Sequence, residues 1–323
     1  MDADELVICP GCRRLSGEAL ELRTLERTGD LLACACGRRY PIVGGVPLLL
    51  QDPTGYLQSE ALAVVERDLA PEVAALLAVG PDDHGYTRLL DHLSVYLDAH
   101  WGDRADPPPD GPAAGGAAAL IERVAERSRA GVRRAVELGC SAGRFVAELA
   151  RGAEHVVGVD LQFAAVRRAR RLLAGERVAY NRRIVGAHYR AAHAAAGDLA
   201  VPEERATLLC SDALDPPLVP GAFDRVVALN LIDSVARPRT LFAVLDGLCA
   251  PGGEILVASP YAWASATLDD GERIGGADPA AAVRAHFESR YAVEDEAEIP
   301  WTLRREARVA VAYTCHYLRL RKR

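Results

Sequence analysis

The residues with the clearest chemical potential lie at 133–150, RRAVELGCSAGRFVAELA. Residues 135–138 form a short apolar run of the kind a buried strand has. Gly139-Cys140-Ser141-Ala142-Gly143 is a turn of small residues, and residues 144–150 put Phe145, Val146 and Leu149 on one helical face. A strand, a glycine turn and a helix N-terminus make a site for a polar ligand, because glycine admits close backbone approach and the first helical N–H groups point at it. A second run, 155–159, ends in Asp160 about 20 residues beyond the first, where an acidic side chain can accept from both hydroxyls of a ribose. Residues 208–212 are a third run ending in an acid, Asp212. A fourth, 223–229, is followed by Asn230-Leu231-Ile232-Asp233. Residues 248–253 (LCAPGG) then read as a helix end and turn entering a fifth strand at 254–258. A separate cluster stands near the start: Cys9, Cys12, Cys34 and Cys36 come in two close pairs, and four thiolates so arranged can surround a tetrahedral Zn²⁺.

The ordered series from 132 to 320 resembles the class I S-adenosylmethionine-dependent methyltransferases, whose motifs run E/D-x-G-x-G-x-G, hydrophobic strand-D, D-A, F-D-x-V and L-x-P-G-G. The middle glycine is Ser141 here, still a slim residue. NAD is the rival ligand for a glycine turn, but the PGG before the fifth strand favours the methyltransferase. The resemblance implies an α/β fold, a seven-stranded Rossmann-like sheet with helices on both faces. It implies S-adenosylmethionine as cofactor, held by Glu137, Gly139, Cys140, Gly143, Phe145, Asp160, Leu161, Asp212, Ala213 and Asn230. Glu137 and the glycines would take the amino acid end, Asp160 the ribose and Asp212 the adenine edge.

With 323 residues, half of them hydrophobic, the chain can build a sizeable core and carry more than one unit. No apolar run approaches 18 residues, which excludes a membrane-spanning helix, and the acidic start lacks the pattern of a signal peptide. We therefore expect a cytoplasmic protein whose eight cysteines are metal ligands or buried thiols. A net charge of −7 argues against a protein built to hold a long nucleic acid. Lys322 is the sole lysine and sits at the C-terminal end, so no catalytic lysine is expected.

Three units are expected: a small N-terminal β unit over 1–52, helices over 53–131 that link to and cover the cofactor, and the methyltransferase unit over 132–323. The first resembles the zinc-ribbon proteins that accompany tRNA and translation-factor methyltransferases, with CPGC and YPIVGGVPLLL as the matching stretches. It departs from them in having Cys-x-Cys for the second knuckle. The resemblance implies a structural Zn²⁺ on Cys9, Cys12, Cys34 and Cys36, and a scaffolding role against an apolar face of the larger unit. Residues 53–84 read as an irregular link, a helix and a second short helix ending at Val79. Residues 85–103 form an amphipathic helix with Leu89, Leu93, Tyr96, Leu97 and His100 on one side. Residues 106–116 read as a flexible surface loop, and 117–129 as the helix before the first strand. The helix before the core closes the pocket in the class I family, which makes Tyr86, His100 and Trp101 candidate pocket residues. Residues 175–204 are a basic, aromatic-containing insertion that reads as a solvated helix face rather than an RNA grip.

After the fifth strand, Tyr261 and Trp263 stand at the end where ligands bind open α/β sheets. A short strand at 291–294 and a last strand at 309–320 complete the expected set. The stretches LLDHLSVYLDAHWGD, FDRVVALNLID, PGGEILVASPYAW and IPWTLRREARV resemble the mercaptohistidine N-methyltransferase part of ovothiol biosynthesis. That resemblance implies a small imidazole-bearing acceptor near Asn230, Asp233, Tyr261, Trp263 and Arg304, with Asp233, Asn230 and Tyr261 in catalytic positions. The first reading is thus methylation of a small molecule, plausibly at nitrogen of a histidine-like or peptide-derived substrate. An RNA methyltransferase using the ribbon for recruitment and a non-catalytic scaffold are the alternatives.

Overall fold

Strands that read as continuous Val, Leu and Ala runs are buried on both faces, and parallel sheets require that. A computed structural model describes residues 6–16, 19–65, 69–77, 85–111, 116–263 and 268–323. In it the five runs are β1 (Val132–Leu138), β2 (Ala153–Asp160), β3 (Ala206–Cys210), β4 (Phe223–Leu229) and β5 (Cys249–Ser259). Two longer strands follow, β6 (Tyr291–Glu306) and β7 (Val309–Lys322). The sheet order is β3-β2-β1-β4-β5-β7-β6. The first five are parallel, while β7 runs antiparallel to both β5 and β6. The expected seven-stranded α/β sheet is therefore the observed one. The strand expected at 291–294 instead continues for 16 residues, bulging between Val293 and Asp295 and between Arg304 and Glu306. That extension carries Trp301 and Arg304 into the protein.

Helices cover both faces. Leu93 and Trp101 of α1 (Gly85–Trp101), Leu120 of α2 (Ala118–Ser128), Val146 of α3 (Arg144–Ala150) and Val166 of α4 (Phe163–Leu173) share one core cluster. Leu241 and Leu245 of α5 (Pro238–Leu248) and Phe287 of α6 (Pro279–Glu288) pack into the other. The linking region holds three short helices, Pro53–Ser59, Ala61–Val65 and Pro71–Leu77. The expected end at Val79 lies outside the described residues, as do 112–115 of the expected loop. Among the described residues no helix is long and apolar enough to cross a membrane.

The second face is completed by the N-terminal residues. Glu26–Thr28, Leu31–Ala33, Arg39–Val43 and Val46–Pro47 form a four-stranded sheet. Leu6, Tyr40 and Leu49 join Val157, Val159 and Leu209 in one apolar cluster. This part also closes the sheet's edge. Leu48 bridges Cys210 in parallel, Leu49 N donates to Cys210 O at 2.9 Å, and Ser211 Oγ donates to Leu49 O at 2.6 Å. Ile8 N donates to Pro217 O at 2.9 Å, and the Arg13 guanidinium bonds the Asp215 carboxylate. The segment after β3, which carries Asp212, is thereby gripped from both ends. An edge strand with open N–H and C=O groups invites aggregation, and this bridge covers the edge at its Cys210 end.

The insertion differs from its expectation as a solvated helix face. It is an antiparallel hairpin, Arg177–Val185 with His188–Ala195, extended by Ala105–Asp106. Burial alternates with period two, so Val178, Tyr180 and Arg182 all face inward. Arg182 Nε lies 2.9 and 3.0 Å from the two Asp98 oxygens on α1, and Tyr180 Oη donates to Asp98 Oδ1 at 2.5 Å. Arg304 of β6 reaches Asp98 at 3.2 Å and Asp110 at 2.9 Å. Asp98 is 4 % exposed, Arg182 1 % and Arg304 3 %. One carboxylate thus locks the covering helix, the hairpin and β6 together. Asp98→Ala strips the buried Arg182 of its carboxylate and leaves Arg304 with Asp110 alone, and should destabilise the protein by about 3–5 kcal/mol. Urea unfolding measures this, and a loss below about 1 kcal/mol would show that the network is not held dry.

Candidate functional site

The site forms where β1, β2, β3 and β4 end, because loops at the carboxyl edge of a parallel sheet diverge and leave a crevice. The turn after β1 is its floor. Gly139 has φ +78°, and a Cβ there would come within 2.9 Å of Leu231, so glycine is required. Gly143 also has φ +78°, but a Cβ would collide at 2.8 Å with the Cβ of Ala169 on α4. Its role is close helix packing rather than ligand approach. Ser141, in place of the family's middle glycine, takes φ +45°. That conformation is strained for a residue with a Cβ, and it is held by a hydrogen bond from Ser141 N to Asp160 Oδ2 of 2.8 Å. Asp160 Oδ1 accepts from Gln162 N at 2.8 Å. Asp160 therefore braces the turn as well as facing the crevice.

Strain clusters around the same edge. Among the described residues the non-glycine residues with positive φ are Ser141, Asn230, Tyr261 and Trp263, all just after β1, β4 or β5. Backbone held in such regions is a mark of functional loops.

A cavity of about 440 Å³ occupies the crevice, within the range of about 300–1,000 Å³ usual for small-molecule sites. One wall carries Glu137, Gly139, Ser141, Asp160, Asp212 and Ala213; the other carries His92, Tyr96, His100, Phe145 and Trp301, with Asn230 between. Glu137 Oε2, Ser141 Oγ, Asn230 Nδ2, His92 Nε2 and His100 Nδ1 are buried and have no partner among the described residues. Burial, and then the charge of Asp160, hold the Glu137 carboxyl well above the usual carboxylate range. A floor of orphaned donors and acceptors of this kind fits a polar ligand with an ammonium group and hydroxyls.

The covering helix is fastened to the turn. Trp101 Nε1 donates to Ala142 O at 2.7 Å, and Arg144 Nη1 donates to His100 O at 3.0 Å and Asp103 at 2.7 Å. Trp101, fully buried, thus supports the turn instead of lining the cavity. Tyr86 packs with Ala74 and Leu90, and Arg304 is taken by Asp98 and Asp110, so neither lines the cavity. The Cys140 side chain is buried beneath the turn, while Leu161 lines the mouth.

Asp233, Tyr261 and Trp263 come together, but not on the cavity wall. Asp233 Oδ2 accepts from Ala262 N at 2.7 Å and so holds the strained segment after β5. The Tyr261 hydroxyl is 2.9 Å from His316 Nδ1, whose Nε2 is 2.9 Å from Glu296. Tyr261 and Trp263 rings lie 5.9 Å apart. Asn230 does line the cavity, and its Oδ1 accepts from Cys315 Sγ at 3.2 Å. His92, Tyr96, Ser141 and Trp301 are among the lining residues that the sequence did not mark as site residues. The four-residue spacing of His92, Tyr96 and His100 was the available signal.

Near the N-terminus the four cysteine sulfurs lie within 4.8 Å of one another. Cys9 Sγ and Cys36 Sγ are 3.9 Å apart, and Cys12 Sγ and Cys34 Sγ 3.6 Å. Tetrahedral Zn–S bonds of about 2.3 Å require sulfurs about 3.8 Å apart, so this set fits the ion despite the one-residue knuckle.

Residues 136–257 match the family model described as a methyltransferase domain. That stretch of the chain is a methyltransferase domain. Solved structures similar to the chain include N-methyltransferase NodS from Bradyrhizobium japonicum WM9 in complex with S-adenosyl-L-homocysteine. It has 16% identity and a TM-score of 0.44, over 72% of this chain and 98% of that one. A SAM dependent methyltransferase from Aquifex aeolicus has 15% identity and a TM-score of 0.42, over 66% and 95%. Magnesium protoporphyrin IX methyltransferase from Synechocystis PCC 6803 with bound SAM has 12% identity and a TM-score of 0.40, over 63% and 76%. No curated protein matches the chain.

Because Asp160 accepts from two backbone N–H groups, Asp160→Ala should cost about 1–3 kcal/mol of stability without any ligand. Asp160→Asn, which keeps one acceptor oxygen, should cost less. Thermal unfolding of both variants checks this, and equal stability of wild type and alanine variant would remove the bracing role.

Proposed function

We propose that this methyltransferase transfers the methyl group of S-adenosylmethionine to a nitrogen of a small, histidine-like acceptor. The observation that supports it is a cavity whose lining is polar and acidic in one part, aromatic and imidazole-bearing in another. The cofactor supplies a methyl group already activated on a sulfonium, so the protein's task is chiefly positioning. Glu137 and the turn at Gly139 and Ser141 would take the amino acid end, Asp160 the ribose diol, and Asp212 with Ala213 the adenine edge. Asn230, after β4, would stand beside the methyl group.

A small acceptor suits the molecule better than RNA. The arginines of the inserted hairpin are engaged by the protein's own acids, Arg182 by Asp98, Arg183 by Asp91 and Arg177 by Asp106. Charges so paired offer little to a phosphate backbone. The four-cysteine unit, in this reading, holds one structural Zn²⁺ and buttresses the Asp212 segment through Leu49 and Ser211.

Three outcomes are expected. Asp160→Ala should bind S-adenosylhomocysteine at least about ten-fold more weakly by calorimetry, as loss of a charge-assisted hydrogen bond demands; unchanged affinity would place the ribose elsewhere. Glu137 is protonated more readily than an ordinary carboxyl, and an ammonium group selects its ionised form. Cofactor affinity should therefore fall as pH drops through the raised Glu137 value, and binding below it should release a proton. Calorimetry in two buffers of different ionisation enthalpy measures that proton, and its absence would move the ammonium away from Glu137. Elemental analysis should find about one zinc per chain, lost in a Cys9→Ser, Cys12→Ser double variant.

A further inference from the structure

His92, Tyr96 and His100 stand at four-residue intervals on α1 and so share one face of it. Their rings form a row along the cavity wall. His92 and Tyr96 centroids are 4.5 Å apart, and Tyr96 meets His100 edge-on at 6.3 Å. Beyond His100 stand Phe145 at 5.5 Å and Trp301 at 6.3 Å, both edge-on. The row spans about 12 Å along the helix axis, from eight residues at 1.5 Å rise, enough for a flat ring with a side chain.

Two polar atoms lie buried within this row, His92 Nε2 and His100 Nδ1, and neither has a partner among the described residues. His100 is only 4 % exposed. A buried polar atom left unpaired is costly, and two on one wall, separated by an aromatic ring, call for a ligand that supplies both partners. Burial pushes His92 down to about 4, and burial with the nearby Arg144 charge pushes His100 down to about 3. Both imidazoles are thus neutral near pH 7, each with one donor and one acceptor nitrogen.

We propose that His92 and His100 form the acceptor subsite, gripping a planar heteroaromatic acceptor by its polar edge atoms while Tyr96 and Trp301 cover its faces. The inference rests on the methyl-transfer reading above and adds the residues that select the acceptor class. Benzenoid rings of the same shape satisfy neither imidazole and are rejected, because a site built around hydrogen bonds discriminates far more strongly than a merely apolar one.

The test uses the full-length protein saturated with S-adenosylhomocysteine, titrated with L-histidine and with L-phenylalanine by calorimetry. L-Histidine should bind at least about 100-fold more tightly than L-phenylalanine. His92→Phe and His100→Phe should each reduce that preference at least about ten-fold, with S-adenosylhomocysteine affinity held within about two-fold. His92→Gln and His100→Asn, whose amides approximate Nε2 and Nδ1, should restore part of it, which a packing role would not do. Equal binding of the two amino acids by the wild type overturns the proposal. So does a ten-fold loss of S-adenosylhomocysteine affinity in both phenylalanine variants, since the row would then serve the cofactor. Wild-type protein that fails to bind S-adenosylhomocysteine at all would instead undo the methyl-transfer reading itself.

Discussion

The hydrogen bond from Ser141 N to Asp160 is the contact on which the site depends. It ties the end of β2 to the turn after β1 and holds Ser141 at a φ that a side chain resists. With that turn fixed, Trp101 can donate to Ala142 O and Arg144 can reach His100 O and Asp103, which brings the covering helix down on the crevice. Loosening the turn would release the floor and the roof of the cavity together. A carboxylate at the end of β2 therefore braces the turn and lines the crevice at once.

A second constraint acts at a distance from the crevice. The covering helix, the inserted hairpin and β6 meet around the Asp98 carboxylate, which accepts from Arg182, Arg304 and Tyr180. A buried ion network of this kind adds little net stability compared with apolar packing, but it tolerates few alternative arrangements. Here it fixes how far β6 and α1 stand apart, and so where Trp301 and His100 face each other. The N-terminal unit does comparable work on the opposite flank. Its pairing with Cys210 and its grip on residues 215–219 hold the Asp212 segment, so the Asp212 side of the cavity is braced by a part of the chain remote in sequence.

The strained residues fit this picture. Ser141, Asn230, Tyr261 and Trp263 carry positive φ at three strand ends, and each is pinned nearby: Ser141 by Asp160, Asn230 through Ala258 and Cys315, and the 261–263 segment by Asp233. Asp233 thus bears on the site through backbone shape, and the Tyr261 hydroxyl is committed to His316.

The sequence by itself determined the parallel core and the edge at which the crevice opens. Apolar runs of five to eight residues with acids or glycines at their ends are local patterns, and burial on both faces gives them no other stable home. That Glu137, Gly139, Asp160, Asp212 and Asn230 would line one crevice was legible for the same reason, since strand ends in this sheet have one common destination. The four cysteines were legible from pair spacing, although only the folded chain brings Cys36 beside Cys9 at 3.9 Å. Tertiary structure alone decided the opposite wall. Arg304, Tyr86 and Trp101 look like site residues in sequence, but Asp98, a small apolar cluster and Ala142 O respectively claim them. The hairpin at 177–195 escaped because its inward arginine mimics surface charge until Asp98, more than 80 residues away, neutralises it. His92 and Trp301 gained their place only when β6 and α1 packed face to face. Long-range ion pairing and packing set those positions, and neither leaves a local periodic trace in the chain.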